Sequence, residues 1–247
     1  MARKLFGLVG RNIDYSFSRS YFSRKFVDEG LHDCEYVNFD MADIGNLRDV
    51  ISRNPDLIGL NVTIPFKQSV LPHLDKLDAT AQTIGAVNTI KIHKNGILEG
   101  FNTDAHGFTE SLKPLLKPHH KSALILGSGG ASKAVAYALA SLDIACRHVS
   151  RQEIDGAIRY DELDSAVELV QIVVNATPVG TFPRVDDCPE LPYEKFSANH
   201  IAYDLIYNPA ETLFLKKAAR NGAVTKNGLE MLELQAEKSW VIWNRDI

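Results

Sequence analysis

The sequence predicts an α/β protein of two domains with mainly parallel sheets, and three observations lead to this. Strand-like apolar segments alternate with segments of helical periodicity along the 247 residues. Residues 123–126 (Ala-Leu-Ile-Leu) are continuously apolar, as in a strand buried on both faces of a parallel sheet. Residues 112–121 contain two prolines, two histidines and three lysines, a composition typical of a connector. Alternation of β and α units implies parallel strands joined by right-handed crossovers.

The periodicity of apolar residues predicts the individual elements. Lys94-Asn95-Gly96, between two short apolar segments, indicates a β-hairpin. The last helix is expected to have Leu229, Leu232, Ala236 and Val241 on its apolar side. The predicted strands are residues 4–10, 34–39, 57–62, 88–92, 97–101, 123–126, 144–149, 172–175 and 201–206. The predicted helices are residues 18–29, 44–53, 104 to about 113, 131–142 and 228–243.

Composition excludes several classes of function. The chain is 45% hydrophobic and 23% charged, which is ordinary for a soluble globular protein. A net charge of −4 gives no reason to expect a nucleic-acid surface, and no apolar run approaches a membrane span. The three cysteines are widely spaced and odd in number, which favours neither a disulfide framework nor a zinc site. We expect a cytoplasmic protein that binds no metal, nucleic acid or membrane.

A glycine-rich turn follows the buried strand 123–126 and precedes a helix of small residues. Glycines allow the backbone to approach a pyrophosphate, and the helix N-terminus supplies N–H groups and positive potential. A tight turn that needs glycine only for its backbone conformation is the alternative. The strand-turn-helix context favours a dinucleotide site in a Rossmann-like domain. The turn consists of Gly127, Ser128, Gly129, Gly130 and Ala131.

The residues after the next strand indicate which dinucleotide binds. An NAD site usually has Asp or Glu about 20 residues beyond the turn, but this sequence has Ser150 and Arg151 there. A guanidinium can bind a 2′-phosphate through two hydrogen bonds, and a serine hydroxyl can donate to the same group. The pattern favours NADP, with a solvated arginine at a strand end as the alternative.

Lys67 and Asp104 each lie where a strand-like segment meets a turn. An ammonium and a carboxylate that face one substrate hydroxyl can move a proton while a cofactor moves a hydride. A structural ion pair at a domain boundary is the alternative.

Several polar residues at the ends of elements are candidate substrate ligands. Ser16 and Ser18, in a segment expected to be extended, present both hydroxyls to one side. They can hold a carboxylate, although serines in loops also form turns. Neutral donors and acceptors suited to a ligand with several hydroxyls are Thr63, Asn88, Asn102, Tyr207 and Gln235.

Seven segments, spread over nearly the whole chain, together resemble those of the shikimate dehydrogenase family and occur in that family's order. Each segment alone is suggestive, and the seven in register are highly specific. They are Ser16-x-Ser18, Asn61-Val62-Thr63-Ile64-Pro65-Phe66-Lys67, Gly85-Ala86-Val87-Asn88-Thr89, Asn102-Thr103-Asp104, the turn from Gly127 to Ala131, Asn175-Ala176-Thr177-Pro178-Val179-Gly180, and Gly228-Leu229-x-Met231-Leu232-x-x-Gln235.

The resemblance implies the NADPH-dependent reversible reduction of 3-dehydroshikimate to shikimate in aromatic amino-acid biosynthesis. It implies a substrate-binding domain of residues 1–104 plus 228–247 and a Rossmann-like NADP-binding domain of residues 105–227. Lys67 falls on the family's proton-transfer lysine and Asp104 on its carboxylate partner. The family's ligands of the substrate carboxylate fall on Ser16 and Ser18, with Tyr207 near them. Its ligands of the substrate hydroxyls fall on Thr63, Asn88 and Gln235. Matching the cofactor ligands are the turn from Gly127 to Ala131, Ser150, Arg151, Thr177, Leu205 and Gly228.

The sequence departs from the family pattern at two places and leaves other functions open. The family often has Pro and then His-Asn after the second serine, where this chain has Arg19, Phe22 and Ser23. Its usual Asn-Arg-Thr at the adenosine end is Ser150-Arg151-Gln152 here. The alternatives are a quinate/shikimate dehydrogenase that uses NAD or both cofactors, and a non-catalytic NADP or ligand sensor on the same fold. A monomer or a homodimer is expected.

Overall fold

A computed structural model describes residues 3–14, 16–150, 156–159 and 162–245. The chain divides into two compact units. The first comprises residues 1–103 and 235–247, and the second comprises residues 104–234. The division predicted from the sequence instead places residue 104 and residues 228–234 with the first unit.

Strands and helices alternate along the described chain. The strands are β1 (Lys4–Gly10), β2 (Cys34–Asp40), β3 (Leu57–Val62), β4 (Lys76–Leu77), β5 (Thr89–Ile92), β6 (Leu98–Phe101), β7 (Ser122–Leu126), β8 (Ala145–Val149), β9 (Ile172–Asn175), β10 (Ile201–Asp204) and β11 (Val224–Lys226). The helices are α1 (Phe17–Asp28), α2 (Leu47–Arg53), α3 (Phe66–Ser69), α4 (Ala79–Ile84), α5 (Asp104–Leu112), α6 (Gly130–Ser141), α7 (Leu163–Glu168), α8 (Leu213–Arg220) and α9 (Leu229–Trp243).

The first unit contains a mixed sheet with the strand order β2-β1-β3-β5-β6-β4. β1 runs parallel to both β2 and β3, because the chain crosses over through helices. β5 is antiparallel to β3 and to β6. The predicted turn at Lys94-Asn95-Gly96 joins β5 to β6, and Gly96 adopts the positive φ of 81° that such a turn requires.

An aromatic core fixes α1 and α9 on this sheet. Phe22 of α1 stacks on Tyr36 of β2 with 4.8 Å between ring centroids. Trp243 of α9 is completely buried beside Phe6 and donates from Nε1 to the carbonyl of Ile90 at 3.0 Å. The indole therefore has both the apolar contacts and the hydrogen bond that a buried tryptophan needs.

The second unit contains a fully parallel sheet with the strand order β11-β10-β9-β7-β8. β8 pairs on one side of β7 and β9 pairs on the other, so the strand order reverses between them. In open α/β sheets, ligands bind beyond the carboxyl ends of the strands at such a reversal. The glycine-rich turn after β7 and the segment after β9 lie at these strand ends.

Two local predictions were wrong. Ser18 lies in the first turn of α1 and not in an extended segment, because Ser16 caps this helix. The buried side of α9 is formed by Met231, Gln235, Ala236, Ser239, Ile242 and Trp243, whereas Leu229 is 40% exposed. Ala236 is buried as predicted, Leu232 is half-buried and Val241 is 50% exposed, so the apolar pattern gave the buried face only in part.

No helix within the described part of the chain is both long and apolar enough to span a bilayer.

Replacing Gly59 tests the packing of Trp243 against the sheet. A Cβ added at Gly59 would lie 2.3 Å from Cδ1 and Nε1 of the Trp243 ring. We expect Gly59→Ala to lower the free energy of unfolding by about 1–3 kcal/mol, because the buried indole must move. Gly45→Ala is the matched control, since its nearest neighbour is the Asp43 side chain at 3.4 Å. Equal urea midpoints for the two variants would contradict this packing.

Candidate active site

Lys67 and Asn88 are brought together at the carboxyl end of β3 in the first unit. Lys67 lies on the short helix α3, which begins four residues after β3 ends. Its carbonyl accepts a hydrogen bond of 2.7 Å from the backbone N–H of Val87, directly before Asn88. The backbone carbonyl of Asn88 in turn accepts from Val62 N–H at 2.8 Å. Thr63 stands between β3 and α3 and is half-buried.

The two serines near the N-terminus are held by different partners. The Ser16 hydroxyl accepts from the backbone N–H of Arg19 and donates to Oδ1 of Asn38 at 3.1 Å. The Ser18 hydroxyl contacts the hydroxyl of Tyr36 on β2. Both serines are half-buried, so each combines a fixed position with exposed surface.

Asn88 and Gln235, 147 positions apart in sequence, are joined in the interior of the first unit. Asn88 Nδ2 donates to Oε1 of Gln235 at 3.3 Å and to the Thr103 hydroxyl at 2.9 Å. Asn88 Oδ1 accepts from the backbone N–H of Thr103 at 2.7 Å. The Thr103 hydroxyl also donates to Gln235 Oε1 at 3.3 Å. The orientation of both amide side chains is therefore set by buried partners.

This hydrogen-bond network extends one turn further along the same side of α9. Asn61 on β3 accepts from the Tyr36 hydroxyl at 2.8 Å and donates from Nδ2 to Ser239 at 3.0 Å. The Ser239 hydroxyl also lies 2.8 Å from that of Thr89 on β5. Within the described ranges, every buried side-chain nitrogen and oxygen has a hydrogen-bond partner. We call these residues the polar cluster: Tyr36, Asn61, Asn88, Thr89, Thr103, Gln235 and Ser239.

Asp104 and Tyr207 belong to the second unit. Asp104 is 4% exposed and is the first residue of α5. A carboxylate in the first turn of a helix is favoured by the helix dipole. Tyr207 follows β10, and partial burial raises the pKa of its phenol.

The glycine-rich turn provides an anion site at the start of α6. Gly127 has a φ of 107°, a conformation that favours glycine, and a Cβ there would lie 3.2 Å from the carbonyl of Ala176. Gly129 is the N-cap of α6, and no side chain caps this helix. A Cβ on Gly129 would meet no atom within 4 Å, so there is open space over the helix N-terminus. Uncapped N–H groups beside open space suit a phosphate.

Thr177 lies beside this turn, and Leu205 and Gly228 lie against each other in the same unit. A Cβ at Gly127 would lie 3.2 Å from Cγ2 of Thr177, and one at Gly228 would lie 2.1 Å from the Leu205 carbonyl oxygen. Gly228 N–H donates to the Ile206 carbonyl at 3.0 Å. Glycine at 228 is therefore needed for the close approach of two backbone segments.

The buried carboxylate of Asp204 holds these segments in place. Asp204 has no exposed surface and accepts hydrogen bonds from Asn175 Nδ2 at 3.1 Å, Ile206 N–H at 3.0 Å and the Thr212 hydroxyl at 2.6 Å. Asn175 Oδ1 accepts from the hydroxyl of Thr177 at 2.6 Å. Burial raises the pKa of Asp204 to about 6, although the three donors act in the opposite direction.

The predicted 2′-phosphate ligands are described only in part. Ser150, directly after β8, is 8% exposed, and its backbone N–H donates to the Ile158 carbonyl at 3.1 Å. Arg151 lies outside the described residues. The described residues contain no group of three or more His, Cys, Asp or Glu side chains that could hold a metal ion.

Similarity to known proteins shows the family of this chain. A family profile described as "Shikimate dehydrogenase substrate binding domain" matches residues 8–90. The protein named "Shikimate dehydrogenase (NADP(+))" of Methanococcus maripaludis strain S2 is 37% identical over 260 residues, which cover 97% of this chain and 91% of the relative. The chain belongs to the shikimate dehydrogenase family.

Two solved structures of similar proteins have the same fold. Shikimate 5-dehydrogenase of Thermus thermophilus, in complex with NADP(H) and shikimate, has a TM-score of 0.86 and 34% identity, over 98% of this chain and 94% of that one. Quinate dehydrogenase of Corynebacterium glutamicum, in complex with NAD, has a TM-score of 0.86 and 26% identity, over 99% of this chain and 95% of that one.

One departure from the shikimate dehydrogenase pattern has a structural role. Phe22 is completely buried in the aromatic core against Tyr36 and Trp243. Arg19 and Ser23 are exposed on α1.

Sequence reasoning missed the residues that hold the candidate ligands Asn88, Gln235 and Thr177 in place. Asn61 and Thr103 lie within the matched segments, but no role was assigned to them. Ser239 is four residues after Gln235 and therefore lies on the same side of α9, a spacing that marks it as a candidate. Asp204 follows three apolar strand residues. A single acidic residue at the end of a buried strand is also a signal that could have marked it as a candidate.

Asp204 makes stability depend on pH in a defined direction. With a pKa of about 6 when folded and 3.8 as the ordinary value, the folded protein retains a proton that the unfolded chain releases between these pH values. The free energy of unfolding therefore falls as the pH rises through this window. Over this window, we expect the free energy of unfolding of the wild type to fall by about 3 kcal/mol more than that of Asp204→Asn, because each pKa unit is worth about 1.4 kcal/mol.

The measurement is urea unfolding of both proteins across that pH range. Asp186→Asn, which removes an exposed carboxylate of the same unit, controls for the change in net charge. A difference between wild type and Asp204→Asn that stays constant with pH would contradict the raised pKa.

Proposed function

We propose that this protein catalyses the NADP-dependent reversible reduction of 3-dehydroshikimate to shikimate, a step in aromatic amino-acid biosynthesis. The observation that carries the proposal is similarity over 97% of the chain to a protein named "Shikimate dehydrogenase (NADP(+))". We further propose that it works in the cytoplasm as a monomer or homodimer.

The first unit is proposed to bind the substrate. Asn88 and Gln235 are held by the polar cluster, so their amides can contact shikimate hydroxyls without first becoming ordered. Thr63 supplies a third neutral group at the end of β3. Ser16 and Ser18 supply hydroxyls for the carboxylate, and Tyr207 of the second unit is assigned to the same end of the substrate. The site would thus recognise both the hydroxyl pattern and the carboxylate charge of shikimate.

The second unit is proposed to hold NADP. The open space at Gly129 and the uncapped start of α6 fit a pyrophosphate. The phosphate ligands are then the backbone groups of Gly127, Ser128, Gly129, Gly130 and Ala131. Thr177, Leu205 and Gly228 are assigned to the ribose and nicotinamide. Ser150 and Arg151 are assigned to the 2′-phosphate.

When bound, the cofactor supplies the hydride, and this chain supplies the proton and the orientation. In the reducing direction the carbonyl oxygen of the substrate gains negative charge and needs a proton. The ammonium of Lys67 donates it, and Lys67 takes a proton back in the oxidising direction. Asp104 accepts a hydrogen bond from the substrate hydroxyl and orients it toward Lys67.

A steady-state assay tests the proposal. Purified protein is given shikimate or quinate with NADP or NAD, and the absorbance of the reduced nicotinamide is followed. The highest kcat/KM is expected for shikimate with NADP. A preference for quinate and NAD would replace the proposal with quinate dehydrogenase activity, and tight NADPH binding without turnover would indicate a sensor.

In the same assay, we expect Lys67→Ala to lower kcat with little change in the KM for shikimate. Loss of general acid–base catalysis costs ~10²–10⁴-fold. Lys94→Ala, which removes an exposed lysine from the β5–β6 turn of the same unit, should keep the wild-type rate. Near-complete turnover by Lys67→Ala would remove this lysine from the mechanism.

Arg151→Ala tests the cofactor preference. A bidentate contact with a phosphate is charge-assisted, and its loss should raise the KM for NADP roughly 10–100-fold. The KM for NAD, which has no 2′-phosphate, should change little. Arg220→Ala, at an exposed position at the end of α8, is the matched control. Equal effects of Arg151→Ala on both cofactors would exclude the assigned role.

A further inference from the structure

Ser239 lies at the centre of the polar cluster and is completely buried. It lies four residues after Gln235, on the same side of α9 and one turn further along. Its oxygen lies within hydrogen-bond distance of Asn61 (3.0 Å), Thr89 (2.8 Å) and Thr103 (3.2 Å). These three residues come from β3, from β5 and from the residues after β6. Ser239 therefore joins α9 to each of these three parts of the first unit.

We infer the directions of the hydrogen bonds at Ser239 from the backbone carbonyl of Gln235, which can only accept. The Ser239 hydroxyl donates its one proton to the backbone carbonyl of Gln235 at 2.9 Å. Its oxygen can then only accept, and Asn61 Nδ2 and the Thr89 hydroxyl are the nearest donors. The proton of Thr89 is thereby committed to Ser239 rather than to the Asn88 amide oxygen, which lies 3.2 Å from Thr89.

These directions determine how the two predicted ligand amides are oriented. With Thr89 directed at Ser239, Asn88 Oδ1 is left to the backbone N–H of Thr103, and Asn88 Nδ2 donates to Gln235. The Thr103 hydroxyl donates to the same oxygen of Gln235. Gln235 Oε1 thus accepts two hydrogen bonds from the cluster, which fixes the orientation of its amide.

We propose that Ser239 is a positioning residue for shikimate, which acts through Gln235 and Asn88 by fixing the donor and acceptor directions of the polar cluster. This rests on the proposed function, since it takes Asn88 and Gln235 as ligands of the substrate hydroxyls. Ser239 itself is proposed to touch neither substrate nor cofactor. Without its oxygen, the Thr89 proton and the Asn61 amide seek other partners, and Gln235 and Asn88 lose their fixed orientation.

Ser239→Ala tests the proposal, with Ser111→Ala as the matched control. Ser111 is also a buried helical serine that donates to a carbonyl of its own helix and meets a second hydroxyl, that of Tyr203 at 2.7 Å. Both variants should lower the melting temperature to a similar extent. Only Ser239→Ala should raise the KM for shikimate, about tenfold, with kcat and the KM for NADP within twofold of wild type.

A double-mutant cycle with Gln235→Ala separates positioning from general destabilisation. If Ser239 acts through Gln235, Ser239→Ala should raise the KM for shikimate by much less in the Gln235→Ala background than in the wild type. The same factor in both backgrounds, or a wild-type KM for Ser239→Ala, would overturn the inference. If Ser239→Ala does not fold, Thr89→Val removes the hydroxyl bonded to Ser239 with little change in shape and should give the same result.

The wild-type and Gln235→Ala measurements test the proposed function separately. Wild-type protein that does not oxidise shikimate with NADP would overturn the proposed function and this inference with it. Wild-type turnover and a raised KM for Gln235→Ala, combined with a wild-type KM for Ser239→Ala, would overturn this inference alone.

Discussion

Polar side chains buried in the first unit must satisfy one another, and this constraint governs the candidate substrate site. An unsatisfied buried donor or acceptor costs about 1–3 kcal/mol, so Asn61, Thr89, Thr103 and Ser239 are stable only in a small number of relative positions. Their hydrogen bonds link β3, β5, the end of β6 and α9. The groups that stabilise the fold therefore also orient the residues proposed to recognise shikimate. An apolar core of the same shape would hold the strands but would leave the amides of Asn88 and Gln235 free to rotate.

In the second unit, one buried carboxylate constrains its hydrogen-bond donors in the same way. Asp204 is buried at the end of β10, and its three donors come from β9, the chain after β10 and the start of α8. Burial of a carboxylate is unfavourable unless it is hydrogen-bonded. The donors that stabilise it fix Asn175, which in turn holds Thr177 beside the glycine-rich turn. Burial of Asp204 therefore lowers stability, but it fixes the position of Thr177, which is assigned to the nicotinamide end of the cofactor.

The sequence predicted the elements whose patterns are local. β1, β3 and β9 begin and end at the predicted residues, because each is a short apolar run bounded by polar or glycine residues. The strand-turn-helix unit around Gly127 was predicted for the same reason. The short elements α4, α7 and α8 were missed, since few residues carry their periodicity. The buried face of α9 and the polar cluster were beyond sequence reasoning, because Asn61 and Ser239 are 178 positions apart and only the folded topology makes them neighbours. The resemblance to the family indicates candidate ligands, but it does not indicate the residues that orient them.

A crystal structure of the protein with shikimate bound would show whether the polar cluster orients the residues that bind the substrate. We predict that the amides of Asn88 and Gln235 contact shikimate hydroxyls while both keep their hydrogen bonds to Thr103. Shikimate bound away from these two amides would contradict the account, as would bound shikimate with either side chain rotated out of the polar cluster.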